Sequence, residues 1–158
     1  MRAEWADLDR RIGVFDEEFA ASARDDDASW RVATIPGIGP VNATALVAAI
    51  GDASAFARAR DLAAWLGLVP KQATTGGKPK LLGITKRGSR YLRKSLIHGA
   101  RAVLPRLAAT DTRLEHCLRA LLARAHKNTV VVALANKLAR IIWAVLARGD
   151  RYQAAVMG

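Results

Sequence analysis

Thr74, Thr75, Gly76 and Gly77 set two hydroxyls against two glycines, and Lys78 follows at once. The stretch around them, KQATTGGKPKLLGITKRGSRYLRK at residues 71–94, contains no acidic residue. A hydroxyl is a weak nucleophile until a base, a metal or strong charge stabilisation activates it. Glycines let a backbone approach another surface closely, and unopposed lysines and arginines hold phosphate. The chemistry on offer is the binding of a phosphodiester and, given an activator, attack on it. No carboxylate lies near in sequence, so an activating acid has to come from elsewhere in the fold or from another chain. The plainer alternative is a basic surface loop.

Charge placement favours a polyanion. The chain has 158 residues and a net charge of +11. Residues 1–61 hold eleven acids and seven bases, residues 62–110 hold ten bases and no acid, and residues 111–158 hold eight bases and three acids. Solvated surfaces normally mix signs, so 49 residues without a carboxylate point to nucleic acid bound through its phosphates. One cysteine, Cys117, excludes an internal disulfide. The N-terminus is charged throughout and is no signal peptide, and no apolar run approaches the roughly 18 residues that cross a bilayer. The expectation is a cytoplasmic protein without a membrane partner.

The elements that must position these residues read as helices. Trp5, Leu8, Ile12, Phe15 and Phe19 repeat every three or four residues, a narrow apolar stripe suited to a partner helix. Asp27 is a candidate N-cap for a second helix reaching Ile35, and Pro40 opens a third to Ile50. A fourth ends near Leu66 with Gly67 as C-cap. Residues 69–83 form a basic loop with room for a short hairpin. A long helix follows over about 89–108, where Pro105 kinks or ends it, and two more helices close the chain. Val131, Leu134, Leu138, Ile141, Ile142 and Val145 give the last one its buried face. Trp65 and Trp143 read as core anchors, and His126 as a charge partner at a helix C-terminus. The fold class is all-α. Residues 1–26 form an amphipathic, coiled-coil-like helix, and residues 27–158 form the main helical domain.

Two segments carry binding chemistry. Between the second and third helices, Pro36-Gly37-Ile38-Gly39-Pro40 resembles the turn of a helix-hairpin-helix motif, spanning about residues 27–50. Such a turn presents unpaired amides at a helix N-terminus to a phosphate, with Ile38 tucked between the helices and Gly37 and Gly39 allowing close approach. Contacts of this kind fix position without reading sequence. Downstream, Lys86, Arg87 and Gly88 could form a backbone nest. Arg90, Arg93, Lys94 and Arg101 share a broad helix face opposite Leu92, Leu96 and Val103. With Gly76, Gly77 and Lys78, these residues are the candidate DNA or RNA contacts, and Thr74 or Thr75 would lie near the same phosphate.

Taken in order, these motifs and the closing HKNTVVVALANKLARIIWAVLARGDRY make residues 30–152 resemble the C-terminal domain of DEDD-type, bridge-RNA-guided insertion-sequence transposases. The resemblance implies DNA and a guide RNA as partners. It also implies a serine, in a Ser-(Ser/Thr)-Gly-Gly-Lys loop, that attacks a DNA phosphodiester and becomes covalently attached. Thr74 stands at that position, or Thr75 if the alignment slips by one. In the family, magnesium is held by the carboxylates of an N-terminal domain of the Holliday-junction-resolvase type. Residues 1–158 match none of that domain, and Asp25, Asp26 and Asp27 in a turn are no substitute. The chain itself therefore supplies no metal site and no cofactor, and the expectation is a truncated transposase, inactive alone. Residues 1–26 would join copies of the chain to each other or to a full-length transposase. The competing expectation is a non-catalytic assembly or regulatory protein that pairs with full-length relatives.

Overall fold

A computed structural model describes residues 1–107 and 112–154, with the side chain of Thr75 outside the described set. The elements run α1 (Arg2–Asp25), α2 (Asp27–Ala33), α3 (Pro40–Ile50), a single 3-10 turn at Ala53–Ala55, α4 (Ala59–Trp65), β1 (Pro70–Thr75), β2 (Lys78–Ile84), α5 (Arg90–Leu107), α6 (Arg113–Leu122) and α7 (Lys127–Arg148). Among the described residues the fold is helical, with one two-stranded hairpin.

The core forms on α7, because its apolar residues recur every three or four positions. Val130, Val131, Leu134, Leu138, Ile142 and Val145 are buried there, while Ile141 is only half-buried. α2, α4, α5 and α6 all pack on this helix. Polar atoms tie the same junctions: Asn136 Nδ2 donates to the Leu68 carbonyl at 3.1 Å, and Trp143 Nε1 donates to the Phe56 carbonyl at 2.9 Å. By length and composition α7 is apolar enough to span a membrane, which corrects the expectation that no segment approaches that length. Its apolar face is taken up by the core of this domain.

Several local readings change. Asp26, not Asp27, caps α2: it adopts an extended backbone and its carboxylate accepts the Ser29 amide at 2.9 Å. The Ser29 hydroxyl donates to the same oxygen. These bonds hold the Asp26 carboxyl below the usual aspartate range. Asp27 instead pairs with Arg31 one turn on. His126 caps the start of α7, its Nδ1 accepting the Asn128 amide at 3.2 Å, rather than closing a helix end. Pro105 lies within α5 and does not end it. Trp65 is 39% exposed and meets Phe56 edge to face, so it is a shoulder of the core rather than its anchor.

α1 packs on α2 and α3, with Ala23 buried near its C-terminal end. Trp5, Leu8, Ile12, Phe15 and Phe19 are all exposed along it. At the other end of the chain, Gly149 turns the backbone left-handed after α7. The Arg151 guanidinium then stacks 3.9 Å from the centre of the Trp30 ring, and the Tyr152 amide donates to Thr34 Oγ1 at 3.1 Å. This strap secures α2 to the end of α7.

Candidate nucleic-acid interface

Residues 70–84 are a hairpin because β-pairing and a two-glycine turn agree. Thr75 pairs with Lys78, which leaves Gly76 and Gly77 as the connecting residues. Their φ values are +59° and +76°. Two consecutive left-handed residues suit the turn that matches strand twist, and glycine adopts that conformation at low cost. The hydroxyl–glycine pattern is therefore a hairpin tip.

Side chains alternate across the hairpin. Thr74 shares a face with its partner Pro79 and with Gln72 and Leu81; Lys78 and Lys80 share the opposite face with Ala73. Gln72 Nε2 lies 3.4 Å from Thr74 Oγ1 and donates to it. Apart from half-buried Ala73, the residues from Pro70 to Gly83 whose exposure is described are all exposed. Gln72 and Lys80 carried no expectation from the sequence; strand alternation is the signal that would have brought them forward.

The hairpin root is locked to the body by backbone contacts. The Thr85 amide donates to the Val69 carbonyl at 2.9 Å, and the Lys86 amide to the Gly67 carbonyl at 3.1 Å. Gly67 and Gly88, both left-handed, let two chain segments cross. A Cβ on Gly67 would lie 2.1 Å from the Arg87 oxygen, and one on Gly88 would lie 2.0 Å from the Trp65 oxygen. Lys86 itself has φ +58°, a conformation that residues with a side chain adopt at some cost.

Arg93 belongs to this root rather than to a phosphate face. It is only 8% exposed, and its Nη1 donates to the carbonyls of Leu66 at 3.1 Å and Arg87 at 2.8 Å. One guanidinium therefore joins the end of α4 to the segment entering α5. Arg90, Lys94 and Arg101 do fall on one exposed line, within about 40° around the helix, whereas Arg93 is turned about 60° away from Arg90. Lys86 and Arg87, also exposed, lie in the segment that enters α5 at the hairpin root, and the exposed line continues from them along the helix to Arg101.

Thr74 is not beside these residues. Five residue steps of extended strand lie between it and Val69, or about 17 Å at roughly 3.3 Å per step. The sequence-based expectation that Thr74 shares a phosphate with Lys86 and Arg87 is thus not met within one copy: root and tip lie at opposite ends of the hairpin. Lys78, Gly76 and Gly77 stay with Thr74 at the tip. Thr75 is placed there by its backbone, and its side chain lies outside the described residues.

The α2–α3 turn divides the two glycines expected to meet phosphate. Gly37, at φ +87°, is packed on α5, where an added Cβ would lie 2.8 Å from the Gly99 oxygen. Ile38 is buried. Gly39 caps α3 and faces open space, with no atom within 4 Å of a built Cβ. Of the turn, Gly39 and the first amides of α3 are the part open to a ligand.

Magnesium takes oxygen ligands, chiefly carboxylates and waters. Among the described residues no three His, Cys, Asp or Glu side chains cluster in a way that could hold a metal ion. The hairpin and α5 contain no acid. The described residues do not fit a magnesium ion, which the resemblance assigns to the carboxylates of another domain.

Known proteins share this arrangement of sequence. Residues 30–115 match the transposase IS116/IS110/IS902 family. The chain is 45% identical to the "Probable family 20 transposase" of Pseudomonas aeruginosa, over 97% of this chain and 45% of that protein. It is 44% identical to the transposase for insertion sequence element IS1111A of Coxiella burnetii, over 95% of this chain and 41% of that one. Its identity to the transposase for insertion sequence element IS1328 of Yersinia enterocolitica is 42%, over 90% of this chain and 42% of the relative. The chain thus spans less than half the length of these curated relatives. It belongs to the IS116/IS110/IS902 transposase family.

Proposed function

We propose that the chain is a DNA-binding transposase domain of the bridge-RNA-guided, DEDD type, acting in insertion-sequence transposition and recombination. The observation that carries the reading is the hairpin: an exposed, hydroxyl-bearing tip on an arm that belongs to an acid-free basic segment. Lys86, Arg87, Arg90 and Lys94 bind backbone phosphate at the root, and Arg101 does so farther along α5. Gly39 and the α3 amides, read as the turn of a helix-hairpin-helix, add a second backbone contact. The tip offers Thr74 Oγ1 to a phosphodiester, with Lys78 adding positive charge on the opposite face of the same tip. An exposed tip suits a reaction centre completed by another domain or another copy. Strand exchange then depends on groups outside residues 1–158, and these residues alone bind without reacting.

The test is a mobility-shift titration with duplex DNA and with structured RNA, followed by trapping of an adduct on this chain in the presence of the isolated metal-binding domain of a relative and magnesium. Retardation at low salt that falls steeply as salt rises is expected. Absence of retardation at low salt rejects the binding reading. An adduct that persists unchanged in Thr74→Ala rejects Thr74 as nucleophile.

A second reading is favoured by the exposed stripe of α1: a non-catalytic assembly or regulatory protein. In that case the chain co-purifies with a full-length relative through residues 1–26 and alters its activity without forming an adduct of its own.

A further inference from the structure

The charges beside the α1 stripe show what kind of surface could cover it. Trp5, Ile12 and Phe19 are spaced as first positions of successive heptads, and Leu8 and Phe15 as fourth positions. The flanking positions are then Glu4, Asp9, Arg11, Asp16 and Glu18, four acids and one base. Paired in parallel with a second α1, Glu4 would face Asp9 of the other copy and repel it, while Arg11 would face Asp16 and attract it. Antiparallel pairing would set Glu4 against Glu18. The flanks therefore oppose an antiparallel pair and give a parallel one no net attraction. The stripe is better matched to an apolar surface with a basic rim.

The domain has such a surface. α6 and α7 enclose a groove of about 530 Å³. Half-buried Leu114, Leu121 and Ile141 line it, with exposed Arg113, Lys137 and Arg140 at its rim and no acid among the described lining residues. That volume admits side chains such as Ile12 and Phe15, with the helix itself lying across the mouth. α1 packs on α2 and α3 of its own copy, so the rest of its stripe is free for another.

We propose that α1 of one copy lies across the α6–α7 groove of a second copy. Its large apolar side chains enter the groove, and its acidic flanks face Arg113, Lys137 and Arg140. Reciprocal exchange makes a two-fold dimer with two equivalent contacts. This docking rests on the assembly role of α1 proposed above and is independent of the nucleic-acid reading.

Sedimentation velocity of the whole chain across a concentration series, without nucleic acid, tests it. The wild type should dimerise, and both Lys137→Glu/Arg140→Glu and Asp9→Lys/Asp16→Lys should weaken the dimer by about tenfold or more. All four positions are exposed, and circular dichroism confirms that each variant is folded. Combining the four substitutions should restore association. A wild type that stays monomeric overturns both this docking and the assembly role of α1. A dimer lost in Ile12→Asp but indifferent to the groove variants, or tightened by Asp9→Lys, overturns the docking and leaves the assembly role standing. Failure of the combined variant to recover also overturns the docking.

Discussion

Gly37 and Gly99 meet backbone to backbone: a Cβ added at Gly99 would lie 2.1 Å from the Gly37 carbonyl oxygen. The contact seats the α2–α3 turn on the middle of α5, so the turn that carries the glycine-rich motif packs directly on the helix that carries basic residues. Asn42 and Ser95 hydrogen-bond across the same junction.

Gly99→Ala tests the contact by sterics. Alanine in a helix interior is favoured over glycine by about 1 kcal/mol, so an uncrowded site would be stabilised. Here the methyl meets backbone that cannot swing away, and overpacking of this sort costs about 1–3 kcal/mol. We expect a net loss of stability in urea denaturation, with Gly39→Ala costing less, because its Cβ meets nothing and only the N-cap preference for glycine over alanine is lost. A stabilised Gly99→Ala would show that α5 and the turn are not in contact. Gly39, rather than Gly37, is consequently the informative position for DNA binding in this turn.

Arg93 and Arg90 should separate folding from binding. Removing Arg93 leaves the Leu66 and Arg87 carbonyls without their charged donor, and hydrogen bonds to charged groups are worth about 1.5–3 kcal/mol. Arg93→Met is expected to lower stability by about 2 kcal/mol while leaving the salt slope of DNA binding unchanged. Arg90→Ala, on the exposed line, should move stability by less than about 0.5 kcal/mol. It should also lower the salt slope by about one. An Arg93 variant with full stability and a reduced slope would reverse these assignments.

The hairpin tip should melt locally. Gly76 and Gly77 both need left-handed backbone, and a side chain there costs on the order of 1 kcal/mol. Beyond its root the hairpin is exposed, so this loss should appear as faster amide exchange in β1 and β2 without a matching fall in global stability. A Gly76→Ala/Gly77→Ala variant that unfolds the whole domain would mean that the hairpin is part of the core.

What the sequence revealed was largely what local rules govern. The apolar period of α7, Pro40 at the start of α3 and Gly67 after α4 each follow from one segment's own chemistry, and each is where it was expected. The basic character of residues 71–101 was equally plain. Arg93 was misjudged because its direction is set by carbonyls of Leu66 and Arg87, which only tertiary packing brings together. The distance between Thr74 and Lys86 was hidden for a related reason. A loop can fold both onto one phosphate, whereas a paired hairpin holds them apart, and pairing depends on the Gly76-Gly77 turn. Choosing between Asp26 and Asp27 was beyond a propensity argument, since both are good caps and Ser29 decides.

That cap gives a pH dependence with a definite sign. The Ser29 hydroxyl, then the Ser29 amide, stabilise the Asp26 carboxylate and hold its pKa below the usual aspartate range in the folded chain. In the unfolded chain the group titrates near its ordinary value of about 3.9. A folded pKa that is depressed stabilises the fold above the unfolded value, and the contribution is lost as pH falls through the two. Asp26→Ala should therefore cost about 1 kcal/mol at pH 7, the usual worth of an N-cap. The cost should shrink when urea denaturation is repeated below about pH 4. Asp26→Asn keeps an acceptor without a titrating proton and should lie close to the wild type at low pH, falling behind it only as the carboxylate ionises. An Asp26→Ala cost that is the same at both pH values would mean that the Asp26 carboxylate is not the cap of α2.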